Sequence, residues 1–284
     1  MSRKEVFVRP AEIVASPVGW AEPGSATPLA AAGGLARRVG ALCLAEAQKL
    51  RHDPTEIFTR AIQPALWLLI FGETFTHLHA IPTGNVPYLA YMAPGILAQS
   101  ALFISIFYGI QIIWERDAGV LAKLLATPTP RVALVTGKAF AAGLRALAQV
   151  AVVIVLAALL GVPLTDNPLR VLAAAGFVLL GAAFFCTLSL TIAGVVLRRD
   201  RLMGIGQAIT MPLFFASNAL YPIKLMPVWL RVLSKANPLS YEVDALRGLL
   251  IHTPAHVGTD FAVMAVSALV GVFVASSLLA RLAR

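Results

Sequence analysis

Charged residues are scarce in this chain. Asp, Glu, Lys and Arg make up 13% of its 284 residues, about half of the ~25% that is usual in soluble domains. Hydrophobic residues reach 58%, and the mean hydropathy is +0.80. A soluble protein of this composition would expose large apolar patches and aggregate. The composition therefore excludes an ordinary soluble domain and indicates a protein that folds in a lipid bilayer.

Cysteine is also rare, with only Cys43 and Cys186 in the whole chain. The first lies in a basic N-terminal segment and the second lies within an apolar run. Two cysteines placed in this way do not make a disulfide framework. We interpret both as packing residues.

Nucleotide-binding and metalloenzyme motifs are missing. No G-x-x-x-x-G-K-[ST] sequence occurs, because Gly137-Lys138 is followed by Ala139 and lacks the first glycine of the motif. The H-E-x-x-H metalloprotease motif is absent, and His77 and His79 have no third ligand nearby in sequence. We therefore predict that this chain has no catalytic residues, no metal site and no cofactor of its own.

The net charge of +9 raises the possibility of nucleic-acid binding. A nucleic-acid-binding protein clusters its basic residues on one face of a soluble core. Here the Lys and Arg residues lie at the ends of apolar runs, which is the usual pattern beside membrane spans. The charge therefore favours a membrane protein and argues against nucleic acid as a partner.

Apolar runs long enough to cross a bilayer follow one another along the chain. About 20 apolar residues are required, because ~30 Å of hydrocarbon is crossed at 1.5 Å per residue. We predict an all-α membrane protein with six transmembrane helices, at about 57–76, 87–113, 138–161, 169–197, 202–221 and 259–281. The first has the shortest uncharged centre, between Arg60 and Glu73, and Pro94-Gly95 interrupts the second.

The N-terminal region differs from the rest in composition. Residues 1–34 are rich in Pro, Gly, Ala and Ser and lack the apolar centre of a secretory signal, so we expect a flexible cytoplasmic tail. Residues 35–51 are basic and imperfectly amphipathic, which predicts an interfacial helix that leads into the first span. The transmembrane domain is then 35–284.

The distribution of basic residues predicts the orientation. If the N-terminus is cytoplasmic, most of the 23 Lys and Arg residues fall on the inner side, including Arg116, Lys123 and the cluster at 198–201. Cytoplasmic loops carry the excess of Lys and Arg in membrane proteins. We therefore predict that both termini are cytoplasmic, that 114–138 is inside, and that 78–87 and 222–257 are outside.

Residues 114–127 connect the second and third spans. Apolar side chains recur there at helical spacing, with Arg116 and Lys123 opposite them: Trp114, Ala118, Leu121 and Leu125. The prolines of the Thr-Pro-Thr-Pro sequence at 127–130 end the pattern. We predict a short amphipathic helix along the inner membrane face. A solvated connecting helix is the alternative.

Residues 222–250 precede the last span and have two helical patterns. The first carries an apolar stripe: Leu225, Trp229, Val232, Leu233 and Ala236. Asn237 is a suitable cap for a second helix with Pro238 at its first position, and Glu242, Asp244 and Arg247 give that helix a polar side. We predict a short outer pair of amphipathic helices that lie in the outer headgroup layer or dip partly into it.

These two segments resemble those of the ABC-2 type transporter permeases, particularly the daunorubicin-resistance and nodulation-export type. That family has an acidic-basic-acidic-x-Gly signature after its second span, which here is Glu115-Arg116-Asp117-Ala118-Gly119 followed by Leu124-Leu125-Ala126-Thr127-Pro128. Asp117 departs from the glutamate that is frequent in the family but keeps the charge. Asn237-Pro238-Leu239-Ser240-Tyr241, leading to Ala245-Leu246-Arg247, matches the pattern before the last span. The resemblance extends from about residue 36 to the end.

The resemblance implies the transmembrane subunit of an ATP-driven exporter in the plasma membrane of a prokaryote. Two such permeases, identical or different, would work with two cytosolic ATPase subunits that hold ATP and magnesium. The helix at 114–127 would couple them through Glu115, Arg116, Asp117, Gly119, Leu121 and Lys123. Asn237, Pro238, Tyr241 and Arg247 would belong to an outer lid. The substrate class expected is an amphipathic drug, a lipid or a lipid-linked glycan.

A few polar side chains occur inside the predicted spans. Gln99, Gln149, Gln207 and Asn218 are candidates for lining a translocation path, as is Arg145, which otherwise extends toward the cytoplasmic surface. Hydrogen bonding between helices is the alternative for the four amides. Since so few ionisable groups lie in the spans, a proton- or sodium-coupled transporter is disfavoured. An ATPase-independent channel or a receptor-like subunit is the remaining alternative.

Overall fold

The computed structural model of the chain describes residues 55–78, 81–84, 86–126 and 130–282, together with Gly40, Leu44 and Gln48. These parts of the chain are mostly helical and contain no strand, which agrees with the all-α prediction. The predicted tail at 1–34 and most of the predicted interfacial helix at 35–51 lie outside the described residues. Those two assignments stay predictions.

Ten α-helices follow one another in the described ranges. They are α1 (Thr55–Leu66), α2 (Glu73–Leu78), α3 (Tyr88–Asp117), α4 (Val120–Ala126), α5 (Arg131–Leu159), α6 (Pro168–Val196), α7 (Arg199–Phe215), α8 (Val228–Ala236), α9 (Pro238–Leu250) and α10 (Val257–Leu282). A π-helical turn, Trp67–Gly72, joins α1 to α2, and a 3-10 turn, Ile223–Leu225, precedes α8.

Four of these helices are long and apolar enough to cross a membrane: α3, α5, α6 and the Val257–Leu279 part of α10. They correspond to the predicted spans at 87–113, 138–161, 169–197 and 259–281. The third begins earlier than predicted, since α5 starts at Arg131, directly after Pro130.

The predicted spans at 57–76 and 202–221 are not among the four. The first is divided, because Pro64 removes a backbone donor from α1 and the π-helical turn follows three residues later. The fifth is short, because α7 ends at Phe215 after 17 residues and 217–221 are not helical. At 1.5 Å per residue α7 spans roughly 26 Å, less than the ~30 Å of a hydrocarbon core.

Helix α6 forms the centre of the bundle and packs against α3, α5, α9 and α10. Its start is set by Asn167, whose side chain accepts a hydrogen bond from the Leu169 amide, with Pro168 in the first turn. Ser189 Oγ of α6 donates to the Ile106 carbonyl of α3 at 2.8 Å. The outer sides of α5 and α10 remain apolar and exposed, as expected of surfaces that face lipid.

The predicted outer helix pair corresponds to α8 and α9. Asn237 caps α9 by accepting from the Leu239 amide at 3.1 Å, with Pro238 at the first turn, as predicted. Helix α9 lies among α3, α6 and α10 with Leu239, Val243 and Leu246 buried, while the depth of the pair in the bilayer stays a prediction. An amphipathic pattern does not distinguish a water-facing polar side from a polar side that meets other helices. Of the two helices of the pair, only α8 has an exposed apolar stripe.

Candidate functional site

The corner between α3 and α5 contains the predicted coupling segment. The structure does not have one helix over 114–127: α3 ends at Asp117, Ala118 and Gly119 form a turn, and α4 begins at Val120. Gly119 has φ +71°, which a right-handed helix cannot contain and which glycine adopts without strain. The predicted stripe is therefore divided, with Trp114 on α3 and Leu121 on α4.

Leu121 joins this corner to the membrane helices. Its side chain is 2% exposed, so it is a buried anchor and not a surface for docking. It borders a gap of about 10 Å³ together with side chains from four long helices: Ile112 of α3, Leu134 of α5, Leu190 of α6 and Leu279 of α10. A displacement of α4 would therefore be transmitted into the core that contains Leu121, because close-packed interiors transmit strain.

The charged residues of the corner are divided between internal bonds and the surface. Glu115 accepts from Lys138 Nζ of α5 at 2.7 Å, and Arg116 donates to the Leu197 carbonyl and to Asp117. Asp117 and Lys123 are exposed. Of the predicted coupling residues, Glu115 and Arg116 thus hold the corner to α5 and to the α6–α7 turn, which the sequence pattern did not indicate.

A basic groove beside the corner was not predicted as a site. It is lined by Arg116 and Leu197 with the exposed run Arg198, Arg199, Asp200 and Arg201 at the start of α7. The guanidinium of Arg199 lies 5.0 Å from the Trp114 ring centroid, a cation–π contact between α7 and α3. In the sequence analysis these basic residues contributed only to the prediction of orientation.

Two of the predicted path residues meet in a polar cavity. Gln99 of α3 and Gln149 of α5 line a space of about 140 Å³ together with Thr59, Arg60 and Gln63 of α1. Gln99 is 2% exposed, and neither its amide nitrogen nor its oxygen has a hydrogen-bond partner in the described part of the chain. The α1 residues were missed, although their spacing puts Thr59, Arg60 and Gln63 on one side of a helix.

The other predicted path residues lie elsewhere. Arg145 is 6% exposed with its guanidinium 4.9 Å from the centroid of the Tyr108 ring, so it does not extend to the surface. Gln207 is exposed on α7. Asn218 is buried after α7 and donates to Asp244 Oδ1 at 2.6 Å. The five residues therefore do not form one path within a single chain.

The predicted lid residues hold α9 in the bundle. Arg247 donates to the carbonyls of Tyr91, Asn218 and Ala219, and its guanidinium lies 3.6 Å from the Tyr91 ring centroid. Asn237 Nδ2 donates to the Leu213 carbonyl of α7 at 2.7 Å, and Tyr241 Oη donates to the Lys235 carbonyl. These contacts tie α9 to α3, α7 and α8. Pro238 contributes the rigid first turn.

Glu242 is a buried carboxyl that the sequence placed on a polar face. It is 0% exposed, and neither of its oxygens has a hydrogen-bond partner among the described residues. Burial raises the pKa of Glu242 well above 4.5, because a charged carboxylate is unfavourable in apolar surroundings. Gly181 of α6 leaves the space that this carboxyl fills.

Comparison with known proteins identifies the family. The model of the ABC-2 type transporter family matches residues 37–251. The chain belongs to the ABC-2 type transporter family. Within it, this ABC-2 permease is 30% identical over 208 residues to "Putative transport permease ycf38" of Cyanophora paradoxa, covering 72% of this chain and 71% of the relative.

Two further relatives carry more specific names. "Daunorubicin resistance ABC transporter permease protein DrrB1" of Streptomyces coeruleorubidus is 26% identical over 224 residues, which is 78% of each chain. "Nodulation protein J" of Rhizobium leguminosarum bv. trifolii is 27% identical over 183 residues, 62% of this chain and 68% of that one. The resemblance predicted from the two motifs is confirmed: this is an ABC-2 permease, a membrane subunit. The roles of its individual residues stay predictions.

Proposed function

We propose that this chain is the membrane subunit of an ATP-driven exporter whose ATPase is a separate cytosolic subunit. Two permease chains, identical or different, would form the path, and two copies of the ATPase would bind ATP and magnesium and drive them. The substrate would be an amphipathic drug, a lipid or a lipid-linked glycan. The name of the Streptomyces relative, a permease of a daunorubicin resistance ABC transporter, supports this class.

The proposal includes six membrane crossings with both termini in the cytoplasm of a prokaryotic cell. The first crossing would be α1, the π-helical turn and α2 together, since the 24 residues of Thr55–Leu78 extend roughly 36 Å. The fifth would be α7 completed by the non-helical residues that follow it. Segments without regular hydrogen bonds are tolerated at membrane depth when other helices cover them.

The observation that carries the proposal is the construction of the α3–α4 corner. Leu121 anchors α4 in the core, beside side chains from four long helices, while Lys123 and Asp117 on the same corner stay exposed. A partner that presses on α4 would therefore move the membrane domain through packed contacts. The open space around Gly119, where no described residue beyond its chain neighbours comes within 4 Å of an added Cβ, would let a partner approach closely.

Charge on the corner suggests the chemistry of the docking surface. Lys123 and the basic groove at Arg198–Arg201 are exposed near the corner, so we expect acidic residues on the facing part of the ATPase. Opposite charges at the rim of an interface act mainly on association rate and orientation. Gln99, Gln149 and Arg145 would contribute to the path from the interior.

Affinity purification of the tagged chain from its host tests the proposal. We expect a protein with a phosphate-binding loop to co-purify, and the Lys123→Glu variant to retain several-fold less of it, as expected for a rim charge of roughly 1 kcal/mol. Lys235→Glu on α8, at the opposite end of the bundle, is the matched control and should retain the wild-type amount. Equal retention by both variants would show that the corner does not dock the ATPase.

A further inference from the structure

The polar cavity beside Gln99 has a defined chemistry. Its ten lining residues include one charged side chain, Arg60, and no carboxylate. Polar side chains in the lining come from three helices: Thr59, Arg60 and Gln63 of α1, Gln99 of α3 and Gln149 of α5. Gln99 is 2% exposed, and its two polar atoms have no partner among the residues that the structure describes, which is costly in apolar surroundings unless a ligand or solvent satisfies them. The cavity therefore favours a hydrogen-bonding group with negative charge.

The cavity is too small for a whole drug-sized molecule. Its volume of about 140 Å³ lies below the roughly 300–1,000 Å³ typical of drug-binding pockets. A head group of a few atoms fits this space. Phe103 and Phe107 of α3 form an apolar part of the wall, with their ring centroids 6.4 Å apart.

An apolar groove continues from the cavity along the outside of α1. Thr59 and Gln63 line both spaces, and the groove is otherwise lined by Ile62, Leu66, Trp67, Ile70 and Phe71. From residue 59 to residue 71 it follows the helix for roughly 18 Å at 1.5 Å per residue. That length is close to half of the ~30 Å hydrocarbon core, the depth of one leaflet.

We propose that the cavity and the groove together bind one anionic amphiphile, with its charged head at Arg60, Gln99 and Gln149 and its apolar tail along α1 past Trp67. The predicted orientation puts the start of α1 at the cytoplasmic side, which places such a molecule in the inner leaflet with its tail toward the bilayer centre. The site shares Gln99 and Gln149 with the proposed path, but binding there requires neither an ATPase nor transport, so its test is independent of the test of the exporter.

Quenching of Trp67 fluorescence by lipids with brominated chains tests this directly, because Trp67 lines the groove. The purified full chain in a neutral detergent is titrated with brominated phosphatidylglycerol or brominated phosphatidylcholine. We expect the anionic lipid to quench at several-fold lower concentration. Trp67→Phe should remove the saturable part of the fluorescence quenching. That loss would assign this part of the quenching to lipid bound in the groove.

Two variants test the head-group contacts. Gln99→Leu and Arg60→Gln should each weaken phosphatidylglycerol binding by roughly tenfold, the size expected for the loss of a hydrogen bond to a charged group. Two further variants are the matched controls and should bind as wild type. Gln111→Leu is on α3 outside the cavity lining, and Arg170→Gln is in the first turn of α6. Gln99→Leu should also be at least as thermostable as wild type without lipid, because it removes a buried unpaired amide.

Four results would overturn the site. Equal quenching by the two lipids would mean that the groove is covered by bulk lipid without selection. No quenching by either would mean that a second protein chain covers it. Competition by inorganic phosphate alone would mean that the cavity binds a free anion and not an amphiphile. Unchanged binding in both Gln99→Leu and Arg60→Gln would show that these side chains do not contact the head group.

Discussion

Lys138 Nζ of α5 lies 2.7 Å from Glu115 Oε1 of α3, and this ion pair closes the corner around α4. The lysine side chain is 11% exposed and the glutamate side chain 30%. Partial burial reduces the screening of the pair by water and salt. The pair therefore holds the ends of two long helices together at the place where we propose that the ATPase binds.

A double-mutant cycle measures this contact. Glu115→Gln and Lys138→Gln should each lower the thermal stability of the detergent-solubilised chain, and the double variant should lose less than the sum of the two. The coupling energy should be about 1 kcal/mol, the upper end for partly exposed pairs. Strictly additive losses would show that the two side chains do not act on each other.

Gly181 and Glu242 form a second specific contact. A Cβ at residue 181 would overlap the carboxyl group of Glu242, so Gly181→Ala should destabilise the chain by about 1–3 kcal/mol, the usual effect of overpacking. In the Glu242→Ala background the three atoms nearest to that Cβ are removed, and Gly181→Ala should instead add up to about 1 kcal/mol through helix propensity. Melting curves of the four proteins test this reversal of sign. A loss of the same size in both backgrounds would contradict it.

The buried carboxyl also predicts a pH dependence. Because burial raises the pKa of Glu242 in the folded chain above its ordinary value of 4.5, the protonated carboxyl contributes stability that is fully present below about pH 4.5. This stability is lost as the pH rises from there through the folded pKa, with a slope of up to about 1.4 kcal/mol per pH unit.

Melting temperatures of wild type and Glu242→Gln between about pH 4 and pH 8 provide the measurement. The glutamine does not titrate, so the difference between the two proteins isolates Glu242 from all other groups. The variant should become increasingly stable relative to wild type as the pH rises. Parallel curves for the two proteins would contradict the burial of a carboxyl at this position.

The long apolar helices were predictable because about 20 uncharged residues leave few alternatives to a spanning helix. The caps of α6 and α9 depend on Asn-Pro pairs, and the second of these was predicted for the same local reason. Local chemistry of this kind is visible in a single sequence. The family resemblance rests on it too, since both of its motifs are short and continuous.

The predictions failed where the sequence pattern does not specify which helix a side chain packs against. The amphipathic pattern over 114–127 continues through Gly119, but its positive φ ends the helix there. Glu242 appeared on a polar face, yet that face meets α6 at Gly181. The cavity combines Gln63, Gln99 and Gln149 from three helices. Long-range packing of this kind cannot be derived from helical periodicity alone.

The orientation is tested by cysteine labelling in intact cells. In a background without Cys43 and Cys186, a cysteine at Val232 on exposed α8 should react with a membrane-impermeant reagent, because we expect α8 outside. A cysteine at Ala122 on α4, which is also exposed, should react only after the membrane is permeabilised. The reverse pattern would invert the proposed topology.

Photo-crosslinking at the corner tests the central claim most directly. A photoreactive amino acid replaces Ala122, exposed on α4, or Leu233, exposed on α8 at the opposite end of the bundle. After illumination in cells, the products are analysed for an attached ATP-binding subunit. We predict that the ATPase is captured from position 122 and not from position 233. Capture from 233 instead, or a stable complex that gives no product at 122, would contradict coupling through α4.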